Sequence, residues 1–418
     1  MKIGAIIAEY NPFHNGHRYQ IEKFRKEWEL DYILVIMSGN FTQRGEPAWM
    51  PKHLRAHTAL LGGADLVIEL PVYYAAGSAS VFAGGAVAHL NALNCIDALC
   101  FGCEVSGSGL EHKKALEKAA GLLVNEPEEF KQELSASLKA GLSYPAARAT
   151  ALRHFIEDSE LLSTPNNILA LEYIAALKAT ASTIEPFLIK RKGAGYHSTR
   201  ADEKFPSASA IRQSFNDYMS WDEDEYIPEN VWMGVPEENR RLLINRFKKE
   251  FPVVPDDFSA MFAAAFLRSQ ANLTKYTDMT EDIGNRMTRR FGQYRNLTSF
   301  LMETKNKAVT YSRLSRCATH ILLEQDKEIL SQAKSDGYAY YARILGFRKS
   351  AAPLLSRLKK QSSIPLIGKM ASCKKALKGN ALRLIEADIL ASDYYRTVLQ
   401  MKYGNKLKNE FNQEIIII

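Results

Sequence analysis

The sequence predicts an α/β fold: a doubly wound parallel sheet with a helical insertion, followed by a mostly helical C-terminal part. Three observations carry that prediction. Lys2–Ala8, Tyr32–Met37, Leu66–Leu70 and Ala98–Phe101 are largely apolar runs of strand length, with Ile and Val prominent. Their apolar character is continuous rather than alternating, which marks strands buried on both faces of a sheet. Between them lie helical patterns, from His17 to about Leu30 and from Pro51 to about Leu61, with Pro51 suited to a first helical turn. Strand–helix–strand repetition at this spacing implies right-handed crossovers and helices on both faces.

The remaining elements follow in order. Glu111–Val124, Glu126–Ala140, Ala146–Glu157 and Asn167–Thr180 read as helices, a helical insertion over about residues 110–182. Pro186–Lys190 returns to strand character, and a glycine-containing loop over 192–197 follows it. Ser207–Tyr218 reads as a helix opened by Ser and preceded by Pro206. The nucleotide fold is therefore expected over residues 1–220. Residues 221–418 are expected to form a second domain, helical and basic. The terminal run Ile415–Ile418 fits a docked end or a frayed one equally well.

Composition excludes several classes. The 418 residues, 46% hydrophobic and 24% charged, suffice for two or three domains with real cores and do not describe a disordered or fibrous chain. Glu9 interrupts the first apolar run too early for a signal peptide. The uncharged stretch between Glu69 and Asp97 is broken by Pro71, His89, Asn91 and many small residues, which argues against a membrane span. Cys95, Cys100, Cys103, Cys317 and Cys373 are sparse and odd in number, as in a reducing compartment, so a cytoplasmic protein is expected. The net charge of +7 hides a split: from Arg286 onward there are 25 basic and 10 acidic residues, net +15, against −8 for the rest. An acidic body with a basic tail points to a catalytic part joined to a part that holds a polyanion, with a solvated basic face as the plain alternative.

The chemistry begins where the first strand turns into the first helix, at Glu9-Tyr-Asn-Pro-Phe-His-Asn-Gly-His17. Ligands of open α/β sheets bind at the carboxyl ends of such strands, beside a helix N-terminus. His14 and His17, three apart with Gly16 between them, can converge on one phosphate and donate to oxygens that gain charge in phosphoryl transfer; their plain alternative is helix capping. A second element, Phe205-Pro-Ser-Ala-Ser-Ala-Ile-Arg212, starts a helix after the last strand of the fold. Ser207, Ser209, the helix N-terminus and Arg212 there suit the β- and γ-phosphates. In this order the two motifs resemble the paired signatures of the nucleotidyltransferase superfamily, in which ATP is attacked at its α-phosphate.

A narrower resemblance covers essentially the whole chain. Together with the first motif, Met37-Ser-Gly-Asn-Phe-Thr-Gln-Arg-Gly-Glu-Pro47, Ser163-Thr-Pro-Asn-Asn-Ile-Leu-Ala170, Ile189-Lys-Arg-Lys-Gly-Ala-Gly-Tyr-His197 and Tyr311-Ser-Arg-Leu-Ser-Arg316 resemble the bacterial tRNA(Met) cytidine acetate ligase family. The resemblance implies a nucleotidyltransferase-like Rossmann fold and an ATP-dependent ligase with Mg²⁺. Acetate displaces pyrophosphate from ATP to give acetyl-adenylate. The wobble cytidine of elongator tRNA(Met) then takes the acetyl group on its exocyclic amine, giving N4-acetylcytidine and AMP. Carried over by motif, the ATP site comprises Ile7, Ala8, Glu9, Tyr10, Asn11, Pro12, Phe13, His14, Asn15, Gly16, His17, Arg18, Tyr19 and Gln20, with Gly102, Asn166 or Asn167, and Arg191. His14 and His17 are the catalytic pair. From topology alone, the neighbouring loop Gly39–Gly45 is expected to wall the acetate pocket, with Arg44 or Gln43 on the carboxylate and a surface ion pair as the alternative for Arg44.

The basic tail suits the RNA. From Arg343 to Lys378 there are ten Lys and Arg and no acid, including Arg348, Lys349, Arg357, Lys359, Lys360, Lys374 and Lys375. Tyr311, Arg313, Arg316, Tyr394 and Tyr395 add stacking or backbone contacts. Two other classes fit parts of the pattern. A small-molecule adenylyltransferase would use the histidines without the tail, and a non-catalytic RNA-binding protein the tail without the histidines. Three further features read as structural: the dithiol spacing Cys100–Cys103, the pair His53 and His57 on one helix face, and Asp65 and Glu69 as ordinary strand-end residues.

Overall fold

Six residues, Ile3–Ala8, form β1 at the middle of the sheet, where all but the last are buried. Their flanks explain the continuous apolar run, because strands lie on both sides and helices on both faces. The parallel part contains β2 (Tyr32–Ser38), β3 (Leu66–Leu70), β4 (Ala98–Cys103) and β5 (Glu185–Lys190), in the spatial order β5-β4-β1-β2-β3. The chain winds outward from β1 to β2 and β3, then returns to place β4 and β5 on the other side. The gap between β1 and β4 is thus the topological switch point, where a crevice opens at the carboxyl ends of the strands. The computed structural model describes residues 1–104, 109–156, 164–191, 205–221 and 229–418. The predicted loop at 192–197 lies outside them.

Helix α1 (Asn15–Trp28) covers one face through Ile21 and Phe24, which pack with Ile33, Val35 and Val67. On the same face lies α2 (Lys52–Leu61). The opposite face is covered by Ala79–Ala92 and Pro165–Ala179, whose Val87, Leu90, Leu171 and Ile174 join Ile7, Leu34 and Ile68 in the larger core. The uncharged stretch after Glu69 is thus a core helix. Among the described residues no helix is long and apolar enough to cross a membrane. The insertion consists of the four expected helices, Gly109–Asn125, Glu128–Lys139, Tyr144–Arg153 and Pro165–Ala179.

Two expectations are corrected. First, the sheet is mixed and extends into the C-terminal half. Strand β6 (Ala342–Phe347) runs antiparallel to β3, and β7 (Leu366–Ile367) and β8 (Ile416–Ile417) pair with β6. The run is short and carries Arg343, so it lacks the pattern of the first four strands, yet it covers an edge of β3 that would otherwise stay unpaired. The terminal isoleucines are therefore docked, and the Ile418 carbonyl accepts from the Lys349 N–H. Second, Asp65 and Glu69 are not ordinary strand-end residues. The Asp65 carboxylate accepts from the Ile33 N–H at 2.7 Å and from Arg25 at 2.6 Å. Glu69 is buried between Lys52 (2.8 Å) and Arg343 (2.8 Å), and both cations also meet Glu410 near the chain end. Buried charges persist only when paired in this way.

Candidate active site

Strand β1 ends at a strained turn. Tyr10 adopts a left-handed backbone (φ +48°), sparsely populated for a bulky residue and typical of functional sites. Its ring packs edge-on against both Phe13 and His17, 4.9 and 4.7 Å between centroids. Helix α1 then begins with a reciprocal cap. His14 Nδ1 accepts from the Gly16 N–H at 3.0 Å, and His17 Nδ1 accepts from the His14 N–H at 3.2 Å. With both Nδ1 atoms accepting, the proton of each neutral ring sits on Nε2. The rings stack 3.7 Å apart. Burial pushes His14 down to about 3, helped by the Arg191 guanidinium; burial, His14 and Arg191 hold His17 well below its ordinary value. Capping and ligand binding are thus not alternatives: one nitrogen of each ring caps the helix and the other remains as a neutral N–H donor. Gly16 is required for this, because a Cβ there would stand 2.8 Å from the His14 ring.

These residues line a cavity of about 1000 Å³ at the switch point. Of the predicted nucleotide residues, Ile7, Ala8, Glu9, Tyr10, Asn11, His14, Gly16, His17, Tyr19, Gln20, Gly102, Asn166, Arg191, Ser207 and Ser209 lie in its wall. Pro12, Phe13, Asn15, Arg18 and Asn167 do not. Phe13 is fully buried in the core under α1. Asn15 donates to the Met233 carbonyl, and Arg18 pairs with Glu22 and Glu238. The asparagine pair divides its work. Asn167 is buried and spends its amide on the backbone N–H and carbonyl of Glu104, whereas Asn166 faces the cavity and donates to the Glu104 carboxylate at 2.9 Å. Ser207 caps its helix by accepting from the Ala210 N–H, and Arg212 reaches back to the Asn11 carbonyl at 2.5 Å.

One residue that supports the site from behind the cavity wall was not singled out by the sequence. Arg55, on α2, is fully buried and donates to the carbonyls of Glu9 (2.5 Å), Gly39 and Met50 (3.0 Å). It clamps the histidine motif to the loop after β2; an arginine amid the apolar residues of α2 was the available signal. From that loop Thr42, Gln43, Arg44 and Glu46 enter the cavity. Gln43 gives its backbone N–H to Glu9 and its amide to the Gly77 carbonyl at 3.2 Å. Gly45 (φ +75°) docks the loop on helix Tyr311–Leu322, where Ser315 and Thr319 donate to its carbonyl; a Cβ there would meet Arg316 backbone at 2.3 Å. Tyr311, Ser312, Arg313 and Arg316 therefore complete the same cavity, rather than joining the basic tail.

The tail residues occupy varied settings. Lys349, Lys359, Lys360, Lys374 and Lys375 are exposed, with Lys374 near Glu386. Arg348 is committed to the carbonyls of Leu60 and Leu61 at the end of α2, and Arg357 donates to the Met1 carbonyl. Arg343 belongs to the buried ionic cluster, and Tyr395 is buried with its hydroxyl on the Ala48 carbonyl. These three side chains, Arg343, Arg348 and Tyr395, are spent on internal structure. The five cysteines are buried and unpaired, and His53 lines a second, smaller cavity with His57.

A mostly parallel sheet with a crevice at its switch point, two histidines in the cavity wall and a second helix N-terminus beside them define a nucleotidyltransferase-type enzyme. The family model described as HIGH Nucleotidyl Transferase matches residues 1–410. Among curated proteins, the tRNA(Met) cytidine acetate ligase of Caldanaerobacter subterraneus is 38% identical over 94% of this chain and 95% of its own. That of Acetivibrio thermocellus is 36% identical over the full length of both. Among solved structures, Thermotoga maritima TmcAL superposes along both entire chains in its apo form (TM-score 0.91, 31% identity) and bound with alpha-thio ATP (0.90, 30%). The chain belongs to the HIGH nucleotidyl transferase family and, within it, to the tRNA(Met) cytidine acetate ligases.

Proposed function

We propose that the protein is an ATP-dependent ligase that joins acetate to the wobble cytidine of elongator tRNA(Met) through acetyl-adenylate. The observation that carries this reading is the cavity itself. It brings the Nε2–H groups of His14 and His17, the Arg191 cation and the Ser207 helix start to the carboxyl ends of β1, β4 and β5. In the first step an acetate oxygen attacks the α-phosphate and pyrophosphate leaves. Acetate is already anionic at neutral pH, so the step needs alignment and charge relief rather than a base. The neutral imidazoles donate to oxygens that gain charge, and Arg191 and Arg212 supply fixed positive charge. Asn166, which lines the cavity, is the asparagine proposed for the nucleotide. Arg44 is the group proposed for the acetate carboxylate, since the Gln43 amide already serves Gly77.

Mg²⁺ would arrive on the triphosphate, whose oxygens are its usual ligands, with Glu9 as a carboxylate in the same wall. Among the described residues no three His, Cys, Asp or Glu side chains form a metal-holding group. In the second step the cytosine amine displaces AMP. We assign nucleotide activation to residues 1–220 and most RNA contacts to residues 221–418, in a cytoplasmic enzyme. The test is pyrophosphate–ATP exchange. It is expected to require acetate and to fall about 100-fold in His17→Ala, the usual loss for one donor to a developing charge. Absence of exchange with acetate and with other carboxylates overturns the reading. Nucleoside mass analysis of tRNA incubated with ATP and labelled acetate tests the second step.

A further inference from the structure

We infer that Glu46 is the general base of the acetyl-transfer step, taking a proton from the N4 amine of the target cytosine as that nitrogen attacks the acetyl carbonyl. The inference rests on the two-step reading above and supplies a group that this reading lacks. The N4 lone pair forms the new C–N bond, and the bond between the acetyl carbon and the phosphate oxygen breaks, with AMP leaving on that electron pair. The amine then carries one proton too many. Its lone pair is conjugated with the ring, so attack without proton removal would build an unfavourable cation. A positioned carboxylate relieves that charge.

Among the described residues four carboxylates line the cavity: Glu9, Glu46, Glu172 and Asp278. Three are engaged. Glu9 accepts from the Gln43 N–H at 2.7 Å, Glu172 pairs with Arg148, and Asp278 accepts from Arg316 Nε at 2.6 Å. The Glu46 carboxylate takes no hydrogen bond from a described residue, although its backbone is fixed: the Glu46 carbonyl accepts from both the N–H and the hydroxyl of Thr42. Its place is also distinctive. It shares the cavity wall with Glu9 and Arg212, and it directly follows Gly45, which is docked on the C-terminal helix that brings Tyr311 into the same wall. That is the seam between the wall that activates ATP and a wall with an aromatic ring on which an unstacked base can lie. Burial raises the Glu46 carboxyl above its ordinary value, with Glu9 adding and Arg212 and Arg44 opposing. A raised carboxyl is a stronger proton acceptor once ionised.

The experiment compares the two half-reactions in Glu46→Gln and Glu46→Asp. Glu46→Gln is expected to slow single-turnover acetyl transfer to tRNA about 100-fold more than it slows acetate-dependent pyrophosphate exchange, with Glu46→Asp recovering part of the loss. Wild-type transfer should rise with pH as the carboxyl ionises and then level off, and Glu46→Gln should lack that rise. Equal losses in exchange and transfer would assign Glu46 a structural role, and transfer at the wild-type rate would remove it from the reaction; either result overturns the inference. If Glu46→Gln does not fold, Glu46→Asp decides alone: a displaced pH rise in transfer with exchange retained supports the base, and unaltered transfer overturns it. Failure of wild-type exchange would instead strike the two-step reading itself.

Discussion

At the first turn of α1 a single pair of side chains serves both folding and chemistry. The mutual cap between His14 and His17 fixes which nitrogen of each ring holds the proton, and burial beside Arg191 keeps both rings uncharged. The sign follows from burial. A histidine whose folded value lies below 6.5 resists protonation in the folded protein, so it stays neutral as pH falls through the range where a free imidazole charges. In the ligand-free protein the ring resonances of His14 and His17 are therefore expected to stay unchanged between pH 5 and 8 in an NMR titration; a midpoint near 6.5 would contradict the tautomer argument. The motif was legible because its chemistry is local: a strand end, a helix start and two rings within four positions. Arg55 was not, since the carbonyls it clamps lie 5, 16 and 46 residues away. Nor could the sequence separate Asn166 from Asn167, because a single-residue step of about 100° around the helix decides which faces the cavity.

At the scale of elements, the parallel strands followed from runs of Ile and Val, whereas β6 did not. Its residues Ala-Arg-Ile-Leu-Gly-Phe make a strand because β3 offers an unpaired edge, a condition set by tertiary structure. The helix Ala352–Gln361 carries exposed Lys359 and Lys360 in its last turn. Its Arg357 reaches Met1, so this basic patch lies near the amino end of β1, whereas the cavity opens at the carboxyl end. A strand of this length spans about 20 Å, so a tRNA held by both would lie along the side of the sheet. Reversing both charges, Lys359→Glu with Lys360→Glu, is expected to weaken tRNA binding and lower the slope of log affinity against log salt by about 1 to 2, one condensed counterion for each phosphate left unneutralised. Pyrophosphate exchange should persist in that variant. An unchanged slope would show that the lysines are simply solvated.

At the scale of the molecule, the two halves are joined through buried charge. Lys52 from α2, Glu69 from β3, Arg343 from β6 and Glu410 near the chain end form one cluster, so the end of the chain is tied to the layer behind the cavity loop. Burial alone would raise the Glu410 carboxyl, but Lys52 and Arg343, with His53, hold it well below the carboxylate range. A carboxyl lowered in the folded state contributes stability above its unfolded value near 4.3 and loses it as pH falls toward the folded value. Arg343→Met should cost about 3–5 kcal/mol at pH 7, where it leaves buried carboxylates short of a cation. That cost should shrink near pH 4, where the carboxyls can take protons; denaturant unfolding at both pH values measures it, and equal costs would point to packing instead. By itself the sequence determined the nucleotide-binding sheet, the histidine motif and the family, because these are written in local periodicity and short, unusual motifs. Only the tertiary structure decided that the C-terminal half completes both the sheet and the cavity, that Arg343 and Arg348 are spent internally, and that Glu46 stands between the two walls. Those facts depend on contacts between residues hundreds of positions apart, which no local pattern encodes.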